Sequence, residues 1–554
     1  MRGMRSRGLG IAVAALGLLC GAVTPGAAPA SGATHEDPLV RTGQGVVRGT
    51  ADANGRQFRG IPYAAPPVGD LRWAPPRAHA RWTGVRDATR FGHRCVQDKS
   101  WDPGYEQPTH TEDCLNLNVH TPARTPAERP RPVLVWLHGG GLTAGAGEDV
   151  VPDRFAAENG IVTVTVNYRL GALGFLGSRA LGGQSGDFGM QDQQSALRWV
   201  RANIARFGGD PARVTVAGES AGGRSVCTQL AAPGSRGLFR SAIVQSGAYG
   251  DCAAHTREQA DEQGAAFARR LGCAEPERGA RENVADCLRR QSPARIIAAQ
   301  RGMDWGPAAG TRFLPEQPAR AIAAGRSARV PVMNGSNKDE GTLFAFQQYD
   351  GAGKPLRAAD YPAALTSAFG ERAGREALRR YPLRAYSTPT HAFAAALGDQ
   401  MMSCPALRLN RSLVQGSSGT VRAGAPVYAY EFADRTSPPF ESLRRLGTDF
   451  DFGATHVNEV PYLFDHFGHP APLNAEQRLL ARRMRQYWAS FVRDGVPRAA
   501  GVPVMPEQHA RPGTALSLRT AAYGGPATVR SLGADHRCDL WDSPGATIPE
   551  GNGV

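Results

Sequence analysis

The chain has 554 residues, of which 41% are apolar and 21% are charged. This composition supplies a large hydrophobic core and excludes the disordered and fibrous classes of protein. The net charge of +14 comes almost entirely from arginine. Because these arginines are scattered and form no runs, the charge predicts a basic surface and no nucleic-acid-binding site.

Residues 1–33 have the pattern of a secretory signal peptide. Arginines precede an apolar run from Ile11 to Val23, and small residues follow as far as Ala33. The run is too short for a membrane span, and no other stretch approaches 18 apolar residues. We therefore expect a secreted, soluble mature chain without an integral membrane segment, organised as one domain over residues 34–554.

Strand and helix patterns alternate along the mature chain. Short β-type runs at residues 40–49 and 57–63 predict an antiparallel edge. Continuous apolar runs then predict strands buried on both faces: Val133–Leu137, Ile161–Val166, Val214–Ala217, Ala242–Val244, Val330–Met333 and Val427–Tyr430. An amphipathic pattern over 192–207 predicts a helix, and residues 350–400 are typical of helices that cap a sheet. The alternation indicates an α/β fold with a mostly parallel central sheet flanked by helices.

The strand at 214–217 runs directly into Gly218-Glu-Ser-Ala-Gly222, which fits the pattern G-x-S-x-G. In this pattern the serine lies on a sharp turn between a strand and a helix, where its hydroxyl is exposed as a nucleophile. The glycines allow neighbouring backbone to approach closely. Ser220 is therefore the candidate nucleophile.

A glycine triplet follows the strand at 133–137, in the sequence His138-Gly-Gly-Gly141. Backbone N–H groups in such a turn can stabilise the negative oxygen of a tetrahedral intermediate. Gly140 and Gly141, together with the N–H of Ala221, are the candidate oxyanion hole.

A serine hydroxyl needs a histidine base that is oriented by a carboxylate. Asp339 and Glu340 both follow the strand at 330–333, and spacing does not choose between them. His456 lies in the loop after the strand at 427–430. The other histidines that remain open as the base are His466, His469, His509 and His536.

Several longer motifs resemble the type-B carboxylesterase/lipase family, which also contains the cholinesterases. They are Gly60–Arg72, Glu112–Asn118, His138–Gly141, Asn167–Phe175, Phe207–Pro211, Gly218–Gly222, Lys338–Gly341 and Gly453–His456. The resemblance covers roughly residues 40–465 and implies an α/β-hydrolase fold. It also implies that Ser220 is the nucleophile, Glu340 the acid and His456 the base, with Gly140, Gly141 and Ala221 as oxyanion donors.

The resemblance also implies pairings between side chains. Without Cys20 of the signal peptide, eight cysteines remain, an even number that is typical of an exported, disulfide-bonded chain. The family pairs Cys95–Cys114, Cys273–Cys287 and Cys404–Cys538, and we add Cys227–Cys252 from the two that are left. An ion pair between Glu112 and Arg169 is implied as well.

Some positions depart from the family pattern. Arg224 stands on the helix after the nucleophile, where relatives usually have a small or apolar residue, and such a cation requires a partner. Leu142 and Ala217 replace common aromatic residues and leave the shape of the acyl pocket open. Trp101 lies in the Cys95 loop, as does the choline-binding tryptophan of cholinesterases, but its spacing to Cys114 differs, so choline specificity is not assigned.

These observations predict a secreted serine esterase that hydrolyses small carboxylic esters through an acyl-enzyme, without a metal or organic cofactor. The alternative is a catalytically silent, cholinesterase-like recognition or adhesion protein. A peptidase is a third hypothesis that no peptide-binding motif favours. The sequence leaves the acyl length, the alcohol and the oligomeric state open, because loops determine substrate choice.

Overall fold

The structure is a computed structural model that describes residues 38–99, 107–123, 129–273, 283–417 and 424–543. The predicted signal peptide and Trp101 lie outside the described residues. The described residues all belong to one compact unit.

The strands of the described residues fall into one large sheet and two small ones. They are β1 (Leu39–Arg41), β2 (Val46–Arg48), β3 (Thr50–Asp52), β4 (Gly55–Pro62), β5 (Val85–Asp87), β6 (Asn116–Thr121), β7 (Arg131–Leu137), β8 (Val150–Val151), β9 (Val162–Val166), β10 (Gly209–Glu219), β11 (Ser241–Gln245), β12 (Val332–Asn337), β13 (Val427–Phe432), β14 (Asp465–His466), β15 (Ala515–Leu518) and β16 (Ala527–Val529). The small sheets are β1-β2-β5 and β14-β8.

The large sheet has eleven strands in the order β16-β15-β13-β12-β11-β10-β7-β9-β6-β4-β3. All neighbours from β15 to β9 pair in parallel, and the strands at both ends pair antiparallel. This arrangement confirms the predicted mostly parallel central sheet.

The predicted set of strands was incomplete, because β3, β6, β15 and β16 of the large sheet and the short strands β5, β8 and β14 were not recognised. Strand β6 has the sequence Asn-Leu-Asn-Val-His-Thr, and all six residues are buried. Its polar side chains find partners inside the protein: Asn118 donates to Thr165 Oγ1 over 2.9 Å. A polar sequence conceals a buried strand when its side chains are satisfied by other strands.

Helices cover both faces of the large sheet. They are α1 (Asp153–Asn159), α2 (Gly171–Phe175), α3 (Phe188–Asn203), α4 (Ala221–Ala231), α5 (Arg257–Arg270), α6 (Val284–Arg289), α7 (Pro293–Gln300), α8 (Pro318–Ala323), α9 (Gly341–Gln348), α10 (Tyr361–Arg380), α11 (Pro389–Gly398), α12 (Cys404–Ser417), α13 (Glu441–Arg444), α14 (Val460–Leu463), α15 (Ala475–Asp494), α16 (Leu532–Asp535) and α17 (Cys538–Trp541). None of these helices, within the described ranges, has the length and apolar character needed to cross a membrane.

Strand β7 shows why the chain folds into layers. Val133, Val135 and Leu137 are fully buried in the core on one face of the sheet. Leu134 and Trp136 belong to the separate core on the other face. Because successive side chains of a strand point to opposite faces, a continuous apolar run requires helices on both sides.

Four disulfides join the described cysteines: Cys95–Cys114, Cys227–Cys252, Cys273–Cys287 and Cys404–Cys538. These are the pairings expected from the resemblance and from the two cysteines left over. Cys227 lies on α4 and Cys252 in the segment after β11. The second bridge therefore connects the helix after Ser220 to the next segment along the sheet edge.

The expected ion pair between Glu112 and Arg169 is wrong. Arg72 Nε donates to Glu112 Oε2 over 2.7 Å, and its Nη2 donates to the other oxygen. Arg169 instead forms two hydrogen bonds of 2.7 Å with Asp192 on α3. A guanidinium prefers to bind both oxygens of one carboxylate, and the tertiary fold supplies each arginine with a different one.

Candidate active site

Ser220 is the single residue between the end of β10 and the start of α4, and its backbone has φ 55° and ψ −124°. A non-glycine residue in such a conformation is strained by about 1–3 kcal/mol and needs support from its surroundings. Its N–H donates to the carbonyl of Gln245 on β11 over 2.9 Å, and its carbonyl accepts from the N–H of Arg224 over 2.9 Å. A Cβ on Gly222 would lie 2.0 Å from the carbonyl oxygen of Leu137, so only glycine allows α4 to pack against the end of β7.

The glycine triplet after β7 lies directly beside the serine. A Cβ placed on Gly139 would be 3.2 Å from the Cβ of Ser220, and Gly140 and Gly141 have φ of +98° and +64°. In the described part of the chain, no hydrogen bond uses the N–H of Gly140, Gly141 or Ala221. The three donors are therefore available beside the serine, with the N-terminal end of α4 adding a partial positive charge.

Glu340 is fully buried, and both of its carboxylate oxygens accept hydrogen bonds. Its Oε1 accepts from Ser246 Oγ over 2.6 Å and from the N–H of Asn337 over 2.7 Å. Its Oε2 accepts from Nδ1 of His456 over 2.6 Å. The neighbouring Asp339 binds Arg435 and the N–H of the loop residue 454 instead, each over 2.9 Å.

The other ring nitrogen of His456, Nε2, is oriented towards the residue before the serine. Glu219 Oε1 lies 3.3 Å from it, and Nε2 has no hydrogen-bond partner among the described residues. The hydrogen bond between Ser220 and His456 is thus not formed in this structure, although the two residues line one cavity. Such bonds commonly tighten only when substrate is bound.

The electrostatic environment of this imidazole is acidic. Burial by itself would lower the pKa of His456, but the charges of Glu219 and Glu340 outweigh burial and raise that pKa to about 9. Burial raises the pKa of Glu219 to about 8. The titrations of the His456 imidazole and the Glu219 carboxyl are therefore coupled.

The other candidate histidines have different surroundings. His466 lines the cavity, but burial lowers its pKa to about 3. His469 is exposed, and His509 is bonded to Glu507 over 2.6 Å. His536 is buried between Asp399 and Glu431, remote in the chain from Ser220. Of the described histidines, His456 is the one bonded to Glu340.

A cavity of about 1100 Å³ opens over Ser220 and His456. Arg224 lies in its wall, where Nε and Nη2 donate to the carbonyl of Ala253 over 3.1 and 2.6 Å. Leu142 and Ala217, at which the sequence left the shape of the acyl pocket open, are both buried in the protein core, and neither lines the cavity.

Sequence reasoning missed several polar residues that hold the site. Ser246, at φ 47°, binds Glu340 directly. Glu459 is fully buried and accepts from Asn337 Nδ2 over 2.7 Å and from Gln245 Nε2 over 3.0 Å. Position was a signal for Glu219, which is part of the G-x-S-x-G motif, and for Ser246, which directly follows β11. Glu459 lies directly before α14, and no local pattern marks it.

A mostly parallel sheet with a serine on the turn after a central strand defines the α/β-hydrolase class. A sequence model of the carboxylesterase family matches residues 36–541. The chain is 34% identical to acylcarnitine hydrolase of Mus musculus over 503 residues, covering 85% of each protein. It is 34% identical to para-nitrobenzyl esterase of Bacillus subtilis over 484 residues, covering 85% of this chain and 92% of the relative.

Solved structures give the same result. A structure titled PNB esterase superposes with a TM-score of 0.73 and 30% identity, covering 91% of this chain and all of the other. The chain belongs to the carboxylesterase family and is a carboxylic-ester hydrolase.

Proposed function

We propose that this protein is a secreted serine esterase in which Ser220, His456 and Glu340 form and hydrolyse an acyl-enzyme. The proposal rests mainly on the bond of 2.6 Å between His456 Nδ1 and Glu340 Oε2, beside a serine on a strained turn. This bond fixes the imidazole in the tautomer whose Nε2 lone pair accepts a proton.

In the proposed reaction, Ser220 Oγ attacks the ester carbonyl and gives its proton to His456 Nε2. The N–H groups of Gly140, Gly141 and Ala221 hold the negative oxygen of the tetrahedral intermediate. His456 then protonates the leaving alcohol as the bond between carbonyl carbon and alcohol oxygen breaks. Water repeats the same steps on the acyl-enzyme and releases the acid.

The test is Ser220→Ala assayed on a short-chain aryl ester. We expect kcat to fall by several orders of magnitude, because a serine hydroxyl acting with its base supplies most of the rate. Ser225→Ala is the matched control, since it removes a hydroxyl from the same helix that donates to the Ala221 carbonyl and accepts from Gln193 Nε2, with no bond to His456 or Glu340 among the described residues. Activity of Ser220→Ala close to that of the wild type would refute the assignment.

Labelling with an aryl phosphonate separates the esterase from a recognition protein. We expect one phosphonyl group per chain, on the peptide that contains Ser220, and none on Ser220→Ala. A folded wild-type protein that takes up no label would instead support the recognition or adhesion protein.

Export is supported by the signal-peptide pattern and by four disulfides, which persist in oxidising compartments. We propose removal of residues 1–33 and a single α/β-hydrolase domain over 34–554. Expression of the full chain in a secreting host tests this, and mass spectrometry of the medium should find a protein that begins near residue 34. Retention of an unprocessed chain in the cells would contradict it.

A further inference from the structure

Arg224 is a cation in the wall of the cavity that contains Ser220. It lies four residues after Ser220, which precedes α4, and its N–H donates to the Ser220 carbonyl over 2.9 Å, so the two positions are one turn apart. Its guanidinium lies 5.2 Å from the centre of the Tyr249 ring and donates to the carbonyl of Ala253. These contacts fix the orientation of the group while leaving its charge unneutralised.

No ion pair in the described part of the chain includes Arg224, whose side chain binds the carbonyl of Ala253 and contacts both the ring and the hydroxyl of Tyr249. A guanidinium has five N–H donors, so these contacts leave at least one donor for a ligand. A partly buried cation without a carboxylate partner is costly, and binding an anion relieves that cost.

Five acidic residues also line the cavity: Asp149, Glu219, Asp251, Glu262 and Asp304. Asp251 pairs with Arg408 over 2.7 Å. Asp304 is exposed and lies 3.6 Å from His255 Nε2. Glu219 has a pKa raised to about 8 by burial and is mostly uncharged at neutral pH. Asp149 pairs with Arg94 over 2.7 Å, Glu262 is exposed, and among the described residues none of the five carboxyl groups forms an ion pair with Arg224.

We propose that Arg224 is a specificity residue that binds a carboxylate in the acyl part of the substrate. The preferred substrates are then half-esters of dicarboxylic acids, and this inference rests on the proposed esterase function. The leaving alcohol must lie against His456, which is bonded to Glu340, whereas Arg224 is held by the Ala253 carbonyl in the segment after β11. A chain of about two to four methylene groups matches the spacing of one helical turn, about 5.4 Å.

Two ethyl esters of equal shape test the proposal: ethyl hydrogen glutarate and its uncharged amide, ethyl glutaramate, with ethanol release as the readout. We expect wild-type kcat/KM to be roughly ten- to hundred-fold higher for the carboxylate, as for a charge-assisted hydrogen bond. The preference should decrease with salt. The butyrate ester of 4-hydroxybutyrate carries its carboxylate in the alcohol part. Its kcat/KM should not exceed that of the corresponding uncharged amide.

The variant Arg224→Gln should lower the ratio of the two kcat/KM values to near one, whereas Arg224→Lys should keep part of it. Arg270→Gln is the matched control, because Arg270 is exposed, lines the same cavity and binds the carbonyls of Ala299 and Arg301. Its ratio should stay within about twofold of the wild type, a difference well below one charge-assisted bond.

If the wild type has a kcat/KM for ethyl hydrogen glutarate no higher than that for ethyl glutaramate, the proposed role of Arg224 is wrong, even if the variants do not fold. The role is also wrong if folded Arg224→Gln keeps the wild-type ratio of these two values. Hydrolysis of the neutral amide ester without discrimination would contradict this inference alone. If the folded wild type hydrolyses neither ester nor a simple aryl ester, the proposed esterase function fails with it.

Discussion

Glu219 offers the sharpest test of the electrostatics in the site, because its carboxyl lies 3.3 Å from Nε2 of His456. At this distance a full negative charge stabilises the protonated imidazole by about 1.3 kcal/mol at the dielectric of water and about 5 kcal/mol at an effective dielectric of 20. These energies correspond to about one to four pKa units. Because the pKa of Glu219 is itself raised to about 8, the carboxyl is only partly ionised near neutral pH, and about one unit is expected.

The variant Glu219→Gln therefore lowers the pKa of His456 from about 9. In its proposed role as general base His456 must be unprotonated, so the raised pKa predicts an inactive wild-type enzyme at low pH. In the variant the rising limb of kcat/KM against pH should move about one unit towards lower pH. Initial rates on 4-nitrophenyl butyrate across the accessible pH range, corrected for spontaneous hydrolysis, measure this limb.

Asp304→Asn is the control for this experiment, because it removes an exposed carboxylate that lines the same cavity and lies 3.6 Å from His255 Nε2. Its limb should stay in place. If the rising limb of kcat/KM against pH does not move in folded Glu219→Gln, or moves equally in both variants, Glu219 has no direct effect on the pKa of His456.

Further predictions concern stability and packing. Replacing Cys227 and Cys252 together by serine should lower the free energy of unfolding by about 3 kcal/mol, measured by denaturant titration, because the bridge closes a loop of 25 residues; an unchanged midpoint would contradict this. Burial alone would lower the pKa of His536, but the neighbouring carboxylates of Asp399 and Glu431 raise that pKa to about 10. The protonated imidazole therefore stabilises the fold fully below the ordinary histidine pKa of 6.5, and this stabilisation is lost as pH rises through 10. In His536→Gln the melting temperature should be lower and should depend less on pH in that window; an equally steep dependence would refute this reasoning. Gly222→Ala places a methyl group 2.0 Å from the Leu137 carbonyl oxygen at the end of β7. We expect kcat to fall at least about tenfold and the melting temperature to decrease. Full activity and an unchanged melting temperature would show that the backbones of α4 and β7 can move apart.

Local patterns determined much of the site. The turn at Ser220 and the glycine triplet were predictable because each combines a buried strand with glycines over fewer than ten residues, and both signals are local. The parallel centre of the sheet was predictable for the same reason, since strands buried on both faces are continuously apolar. Strand β6 was not predicted from the sequence, because its polar side chains form hydrogen bonds with residues distant in the chain, which a local pattern does not show.

The choice of acid and base was not a local property. Asp339 and Glu340 are adjacent, and a one-residue step directs one side chain to Arg435 and the other to His456. Only the resemblance to a family indicated Glu340 in advance. The same resemblance misled for Glu112 and Arg169, because each found a nearer opposite charge in the folded chain.

The sequence by itself determined the class of fold, the position of the strained serine and the supply of backbone donors beside it, since these follow from apolar periodicity and from glycine. The tertiary structure alone decided which carboxylate faces the imidazole, that a second acid lies 3.3 Å from it, and that Arg224 faces the cavity without a carboxylate partner among the described residues. Such contacts join residues far apart in the chain, and their energies depend on distance and burial, which a linear pattern does not contain.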